Sequence, residues 1–400
     1  MTSSHRRAYV DWARGIAVLL MIEAHTADAW TRLNVRRTIA FRDATVLGGF
    51  AAPLFLWLAG LAVVLAATRA AERTGSRRVA SEMICRRGLE IFILGFLFRL
   101  QGFIITPGSH PVTLFRVDIL NIMGPAIAVA GLVWGLAGTA AARVFWYAAI
   151  AAAFAMVTPI VRASHAVDAL PLWLQWYARP AGEFTIFTLF PWAGFVFAGG
   201  AVGALIAAAR EERAERRLHA ILGASGIALV TLGFYAARRP SIYASSSFWT
   251  SSPTWFAIRL GILMMSLTAI YACEALTAAL KGRATRREAP GRVPAAAQGR
   301  ATTDEAPGRV PELAQGFSPA IDPLARLGRS SLFIYWIHVE LVYGYASWMW
   351  RHRLPLWGWA IAFTLFCVLM YRAIGWRDLA VGKWRNRSRG ARSATQTAPA

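Results

Sequence analysis

Ten stretches of mostly apolar residues fall at about 8–30, 46–68, 84–106, 118–138, 143–161, 183–208, 218–237, 254–280, 325–348 and 356–376 of this 400-residue chain. A hydrocarbon core about 30 Å thick takes roughly 20 helical residues to cross. Backbone groups in lipid must be paired within a helix or a closed barrel. The stretches are long and continuous rather than alternating, which argues against barrel strands. The expected fold class is all-α: a polytopic membrane bundle of about ten transmembrane helices. The fifth stretch is short, and a tilted or re-entrant path there would change the count by one.

Composition agrees. Apolar residues make up 56% of the chain and charged residues only 16%. A soluble domain has nearer 25% charged residues, so the charge here cannot cover a wetted surface of this size. A disordered chain, a disulfide scaffold and a collagen-like fibre are excluded on the same figures. The net charge of +22 invites a nucleic-acid reading, but the arginines sit in short clusters between apolar runs, which is a membrane pattern. No nucleic-acid partner is expected. Cys85, Cys273 and Cys367 are scattered, with neither metal-ligand spacing nor a disulfide framework, and no metal is expected.

Lys and Arg in short loops set orientation. With the N-terminus inside, the inner loops hold Arg69, Arg73, Arg77, Arg78, Arg86, Arg87, Arg210, Arg213, Arg216 and Arg217, and the tail adds Lys383, Arg385, Arg387, Arg389 and Arg392. Arg32, Arg36, Arg37 and Arg42 form an awkward outer group, yet the inner side leads by about two to one. The expectation is a bacterial inner-membrane protein with both termini cytoplasmic. His5-Arg6-Arg7 followed by an apolar run and Ala27-Asp28-Ala29 imitates a cleaved signal peptide. Asp11 and Arg14 interrupt that run, so the first segment is expected to stay as a helix.

Residues 281–324 differ from the rest. The run beginning Glu288-Ala-Pro-Gly-Arg-Val-Pro recurs from Glu305, a duplicated 17-residue repeat. Such composition buries no core, so a flexible cytoplasmic linker is expected. The domain plan is helices 1–8 over residues 1–280, the linker over 281–324, helices 9–10 over 325–376, and a basic cytoplasmic tail over 377–400.

Ionisable residues inside a span are costly and mark function. The first helix carries Asp11, Arg14, Glu23, His25 and Asp28. Arg14 and His25 are eleven residues apart, about three turns and about 16 Å along the axis. They share a face with Asp11 and Asp28, while Glu23 falls nearly opposite. On the ninth helix Ser331, Tyr335 and His338 share a face and are candidates for binding an acceptor. Arg116, Asp118 and Asn121 open the fourth helix, where a local ion pair is expected.

Several motifs resemble those of the transmembrane acyltransferases. They are Tyr9-Val10-Asp11-Trp12-Ala13-Arg14-Gly15, Pro53-Leu54-Phe55-Leu56-Trp57-Leu58-Ala59-Gly60, Asp118-Ile119-Leu120, Phe190-Pro191-Trp192-Ala193-Gly194 and Gly328-Arg329-Ser330-Ser331-Leu332-Phe333-Ile334-Tyr335. In this order they most resemble the bacterial heparan-α-glucosaminide N-acetyltransferase-like family, over most of residues 8–376 outside the linker. The related acyltransferase-3 family has an arginine, ten residues and a histidine, a spacing that Arg14 and His25 match. The resemblance implies that Arg14 handles the acyl donor and His25 takes part in transfer. The chain departs from the lysosomal enzyme in having no histidine between Thr26 and His110.

The chemistry implied is acetyl transfer from cytoplasmic acetyl-CoA to a glycan or glycolipid acceptor reached from the outer side. A histidine suits the proton transfer at neutral pH. Asp28, one turn on, is a candidate to orient the ring. Arg77, Arg78, Arg86 and Arg87 form a basic cluster that, with Arg14, is a candidate site for CoA phosphates. The partners implied are the lipid bilayer, acyl-CoA and the acceptor, with oligomerisation left open. Two rivals are a transporter or flippase for a sugar or lipid-linked substrate and a b-type haem protein using His25 and His338.

Overall fold

A computed structural model describes residues 7–105, 110–185, 187–288 and 323–396. They form α1 (Ala8–Trp30), α2 (Ile39–Gly48), α3 (Ala51–Thr74), α4 (Arg77–Ile105), α5 (Ile119–Leu136), α6 (Ala140–Ala163), α7 (Leu172–Ala178), α8 (Leu189–Ala208), α9 (Glu212–Ala237), α10 (Pro253–Glu288), α11 (Pro323–Arg329), α12 (Ser331–Tyr343) and α13 (Leu356–Gln396). The fold is an all-α polytopic bundle. Among the described residues no strand forms, and isolated bridges join Thr31 to Leu354 and Val117 to Thr185.

Among the described residues eight helical segments, α2–α3 counted as one, are long and apolar enough to cross a membrane. They are joined by α1, whose charges set it apart, and by the shorter α11–α12 pair, so all ten apolar stretches are helical. The face where α1 begins is called here the near face, and the face where it ends the distal face.

The core runs along α3 and α8, where Trp57, Leu61, Phe195 and Ile206 are fully buried. Phe195, Trp192, Trp255 and Phe256 continue it into an aromatic stack. Peripheral helices present apolar side chains outward. On α4, Leu89, Ile93, Leu97, Leu100 and Ile104 are all exposed and recur every three or four residues, one stripe of a helix. A stripe of that length facing water would be an aggregation surface, and facing acyl chains it is satisfied.

Several expected boundaries move. The sixth segment begins at Leu189 rather than near 183, and Phe190, extended ahead of Pro191, interrupts its first turn, since the residue before proline avoids helical angles. The fifth segment is a full 24-residue helix rather than a short one. The ninth is broken at Ser330, and its distal end at Tyr343 passes into a 3₁₀ turn over Tyr345–Trp350. α2 lies where an outer loop was expected, opened by Thr38, whose hydroxyl accepts from the Phe41 amide. α10 continues to Glu288 and α13 to Gln396, into segments read as linker and tail, because Ala, Lys, Arg and Glu there are good helix formers. The duplicated repeat lies almost wholly within 289–322, outside the described residues.

α1 meets α11 backbone to backbone. A Cβ added at Gly328 would run into the Asp11 carbonyl, and one at Gly15 into the Leu324 carbonyl. Small residues at such crossings let helices approach and pack without a hydrophobic drive. This crossing holds α12 against the middle of α1. In an open helix, Gly→Ala stabilises by about 1 kcal/mol. Gly328→Ala is expected to do the reverse, lowering stability by about 1–3 kcal/mol through the backbone clash. Gly382→Ala, where nothing lies within 4 Å, is the control and should hold or raise the melting temperature of the detergent-purified protein.

Candidate active-site cavity

Arg14, His25 and Asp28 of α1 line a cavity of about 1190 Å³ enclosed by α1, α3, α4, α5 and α11–α12. Arg14, Arg87 and Arg329 line its near end. Its waist is apolar, with Phe55, Leu58, Ala59, Ala62 and Val63 of α3 facing Ile91, Ile127 and Leu332. His25, Asp28, Arg99, Arg116, Asp118, Tyr335, Glu340, Tyr343 and Arg351 line the distal half. The α1 stripe thus joins the two polar ends across about 16 Å of helix.

Three hydrogen-bonded groups fix the distal half. In the first, His25 Nδ1 lies 2.8 Å from His338 Nε2, and His338 Nδ1 lies 2.9 Å from the Ile334 carbonyl. In the second, Arg99 Nη2 donates to Asp118 Oδ2 at 2.7 Å, and the Tyr335 hydroxyl bonds the same carboxylate. Asp118 also caps α5 through the Ile119 amide, with the Asn121 side chain accepting from the Asp118 amide in return. In the third, the Tyr343 hydroxyl donates to Asp28 at 3.0 Å, and Arg36 pairs with Asp28 at 3.4 Å.

The residues singled out in the sequence fall as follows. Arg14, His25, Asp28, Arg87, Ser331 and Tyr335 line the cavity. Arg14 lies 3.9 Å from Asp11, which is itself buried. His338 is fully buried behind His25, off the cavity wall. Asp28, expected to orient the imidazole, sits at the helix end with Tyr343 and Arg36, and the bond to Nδ1 comes from His338. Of the basic cluster only Arg87 reaches the wall, paired to Glu90 at 2.8 Å. Arg78 pairs with Glu82, Arg77 donates to the Gly135 carbonyl, and Arg86 is exposed. A haem between His25 and His338 is sterically excluded, since the two rings are in direct hydrogen-bond contact.

Arg99, Arg329, Glu340 and Arg351 were not singled out as site residues from the sequence. Arg99 carried a signal, being an arginine inside an otherwise apolar run. Arg351 lies in a loop and carried none. At the start of α5, Asp118 also makes a long-range pair with Arg99 on α4. Glu23, opposite the stripe, is buried at the α2 end beside Gly48, and neither of its carboxylate oxygens has a hydrogen-bond partner. Among the described residues no group of three or more His, Cys, Asp or Glu side chains could hold a metal ion.

The Arg99–Asp118 pair is largely buried, with side chains 17% and 10% exposed. Asp118→Ala removes the partner of a buried guanidinium and a helix cap together, and is expected to cost about 3–5 kcal/mol. Asp118→Asn keeps an acceptor for the cap and should cost less. Thermal unfolding of the two variants in one detergent measures the difference.

The conserved-sequence model described as heparan-alpha-glucosaminide N-acetyltransferase, catalytic, matches residues 6–240. That region covers α1 to α9 and therefore most of the cavity wall, with α11–α12 supplied from beyond it. No curated protein matches the chain. With more than half of its length matched, the chain belongs to the heparan-alpha-glucosaminide N-acetyltransferase family of membrane proteins.

Proposed function

We propose that this protein moves an acetyl group from acetyl-CoA, entering at the near face, to an amine or hydroxyl of a glycan or glycolipid reached from the distal face. The observation that carries the reading is the cavity itself. Arg14, Arg87 and Arg329 lie at the near end, an apolar waist in the middle, and beyond the waist His25 together with Arg99, Arg116 and Arg351. Acetyl-CoA has the matching order, with phosphates at one end, a slender pantetheine arm, and the thioester at the other. Arg14, Arg87 and Arg329 are placed to meet phosphates, and the α3 side chains Ala59 and Ala62 leave width for the arm. A family member acting as a transporter or flippase is the rival, and the family assignment does not favour it.

His25 accepts the acceptor's proton as its lone pair attacks the thioester carbonyl carbon. The C–S bond then breaks, and the CoA thiolate takes the proton back from His25. Arg99, Arg116 and Arg351 on the same part of the wall are placed to stabilise negative charge developing on the carbonyl oxygen. Asp28 is the second catalytic candidate. It acts by holding Tyr343 and Arg36 at the distal mouth. Arg77, Arg78 and Arg86 lie outside the cavity and contribute positive charge near its opening. Ser331 and Tyr335 bind substrate from α12.

In this reading the near face is the cytoplasm of a bacterial inner membrane, both termini lie there, and the 281–324 segment lies on the same side of one transmembrane domain. Reporter fusions at Gly299 and at the C-terminus should read cytoplasmic, and a periplasmic signal at either would refute the orientation.

Two measurements test the chemistry. His25→Ala should leave acetyl-CoA binding intact and lower transfer by at least about 10²-fold, the scale of a general base. Arg14→Gln and Arg87→Gln should weaken acetyl-CoA binding in calorimetry while Arg78→Gln leaves it unchanged. Proteoliposomes given labelled acetyl-CoA, with mass spectrometry of glycans and lipids, identify the product. His25→Ala with near-normal transfer would remove the histidine from the mechanism.

A further inference from the structure

His338 is fully buried on α12, off the cavity wall, and the reaction above does not use it. Its geometry with His25 nevertheless decides a chemical question, namely which nitrogen of His25 is bare. We infer that His338 is a positioning residue that fixes the tautomer of His25, with the proton on Nδ1 and the lone pair on Nε2 toward the cavity. The tautomer follows from hydrogen-bond geometry between two imidazoles that are neutral, as burial without a paired charge requires, and its catalytic meaning rests on the acetyl-transfer reading.

The chain of bonds starts at a group with no choice. The Ile334 carbonyl can only accept, so His338 Nδ1, 2.9 Å away, carries the hydrogen. A neutral imidazole has one N–H, so His338 Nε2 presents a lone pair. That atom lies 2.8 Å from His25 Nδ1, which must therefore donate. The one hydrogen of neutral His25 is committed there, and Nε2 is left bare.

The geometry suits a strong bond. The two rings are parallel to within 1° and their centroids are 5.0 Å apart. That separation leaves about one ring radius at each end of the N···N contact, so the bond runs along the line of centroids and in the plane of both rings. Tyr343 closes edge-on over His25, with centroids 5.7 Å apart. Asp28 does not compete for the ring, being bonded to Tyr343 and Arg36.

The consequence is directional. Free neutral histidine favours the hydrogen on Nε2, which here would aim a donor at the position where a base is needed. With His338 in place the acceptor's proton arrives at Nε2. The Nδ1–H bond to His338 persists in the imidazolium, and the thiolate recovers the proton from Nε2. His338 changes protonation at no step. In the Ser-His-Asp triad, losing the residue that holds the imidazole tautomer drops kcat about 10⁴-fold, so the effect is large enough to measure.

The test is spectroscopic first. In nanodisc-embedded protein labelled with ¹⁵N-histidine, long-range ¹H–¹⁵N imidazole correlations report the tautomer, and His25→Gln assigns the signals. The expected result is His25 protonated at Nδ1, whereas His25 protonated at Nε2 overturns the inference. His338→Ala should lower kcat by about 10²-fold or more with KM for acetyl-CoA unchanged. His338→Gln, whose amide oxygen can accept from Nδ1, should restore both tautomer and turnover. A folded His338→Ala with wild-type kcat, or a folded His338→Gln no better than it, overturns the inference. If His338→Ala does not fold, the wild-type spectrum and His338→Gln decide. Wild-type protein showing the Nδ1–H tautomer but no acetyl transfer upholds the tautomer and overturns the acetyl-transfer reading.

Discussion

A polar group within the bilayer finds no water among the acyl chains and has to be shielded from them by the protein itself. α1 carries five ionisable side chains, and the architecture around it follows from that. A helix bearing Asp11, Arg14, Glu23, His25 and Asp28 cannot face acyl chains. It is therefore enclosed by α3, α11–α12 and α13, while apolar α4, α6, α9 and α13 take the lipid on their outer sides. The Gly15 and Gly328 crossing brings the second polar helix, α12, against the first. The cavity is the space left where two polar stripes meet an α3 face of small and medium apolar residues.

Much of the fold was legible because membrane physics leaves few options. Length and continuity of the apolar runs mark the ten helical segments, and helical spacing puts Arg14, His25 and Asp28 on one face, as the cavity wall has them. What the sequence hides is partnership at long range. His25 and His338 are 313 residues apart, and no periodicity links them. Asp118 sits two residues from Arg116, and sequence proximity points only to that neighbour, whereas in the fold the carboxylate that caps α5 also pairs with Arg99 on α4. The break at Ser330 was hidden too, because a run such as Leu332-Phe333-Ile334 reads the same whether its helix is continuous or begins anew.

The four arginines that disturb the positive-inside count illustrate the same limit. Arg32 donates to the Arg353 carbonyl at 2.7 Å, beside the bridge between Thr31 and Leu354. Arg36 bonds the Asp28 carbonyl, pairs with its carboxylate and approaches His352. Arg42 lies 3.7 Å from Asp43. Three of the four thus tie the α1–α2 corner to the loop before α13 or pair within α2. A charge engaged in this way serves the local fold as much as it opposes translocation. A count of Lys and Arg alone overstates the conflict on that face.

The position of His25 along α1 bears on what the cavity is for. A base for an external acceptor could sit at the distal surface, where water would supply mobility and weaken its electrostatic environment. Here the imidazole lies beyond an apolar waist, bonded on its buried side to a second imidazole that is closed to solvent. The acyl donor, on the reading proposed, would thread its arm through the waist and leave its phosphates among arginines about 16 Å away. Binding energy gathered at the phosphates would then hold the thioester against the imidazole, the use of remote contacts that raises kcat rather than only affinity. A route for a passing solute has no need of such a waist, whereas a bound donor with its reacting end at His25 and its charge at the near end uses all three parts of the wall.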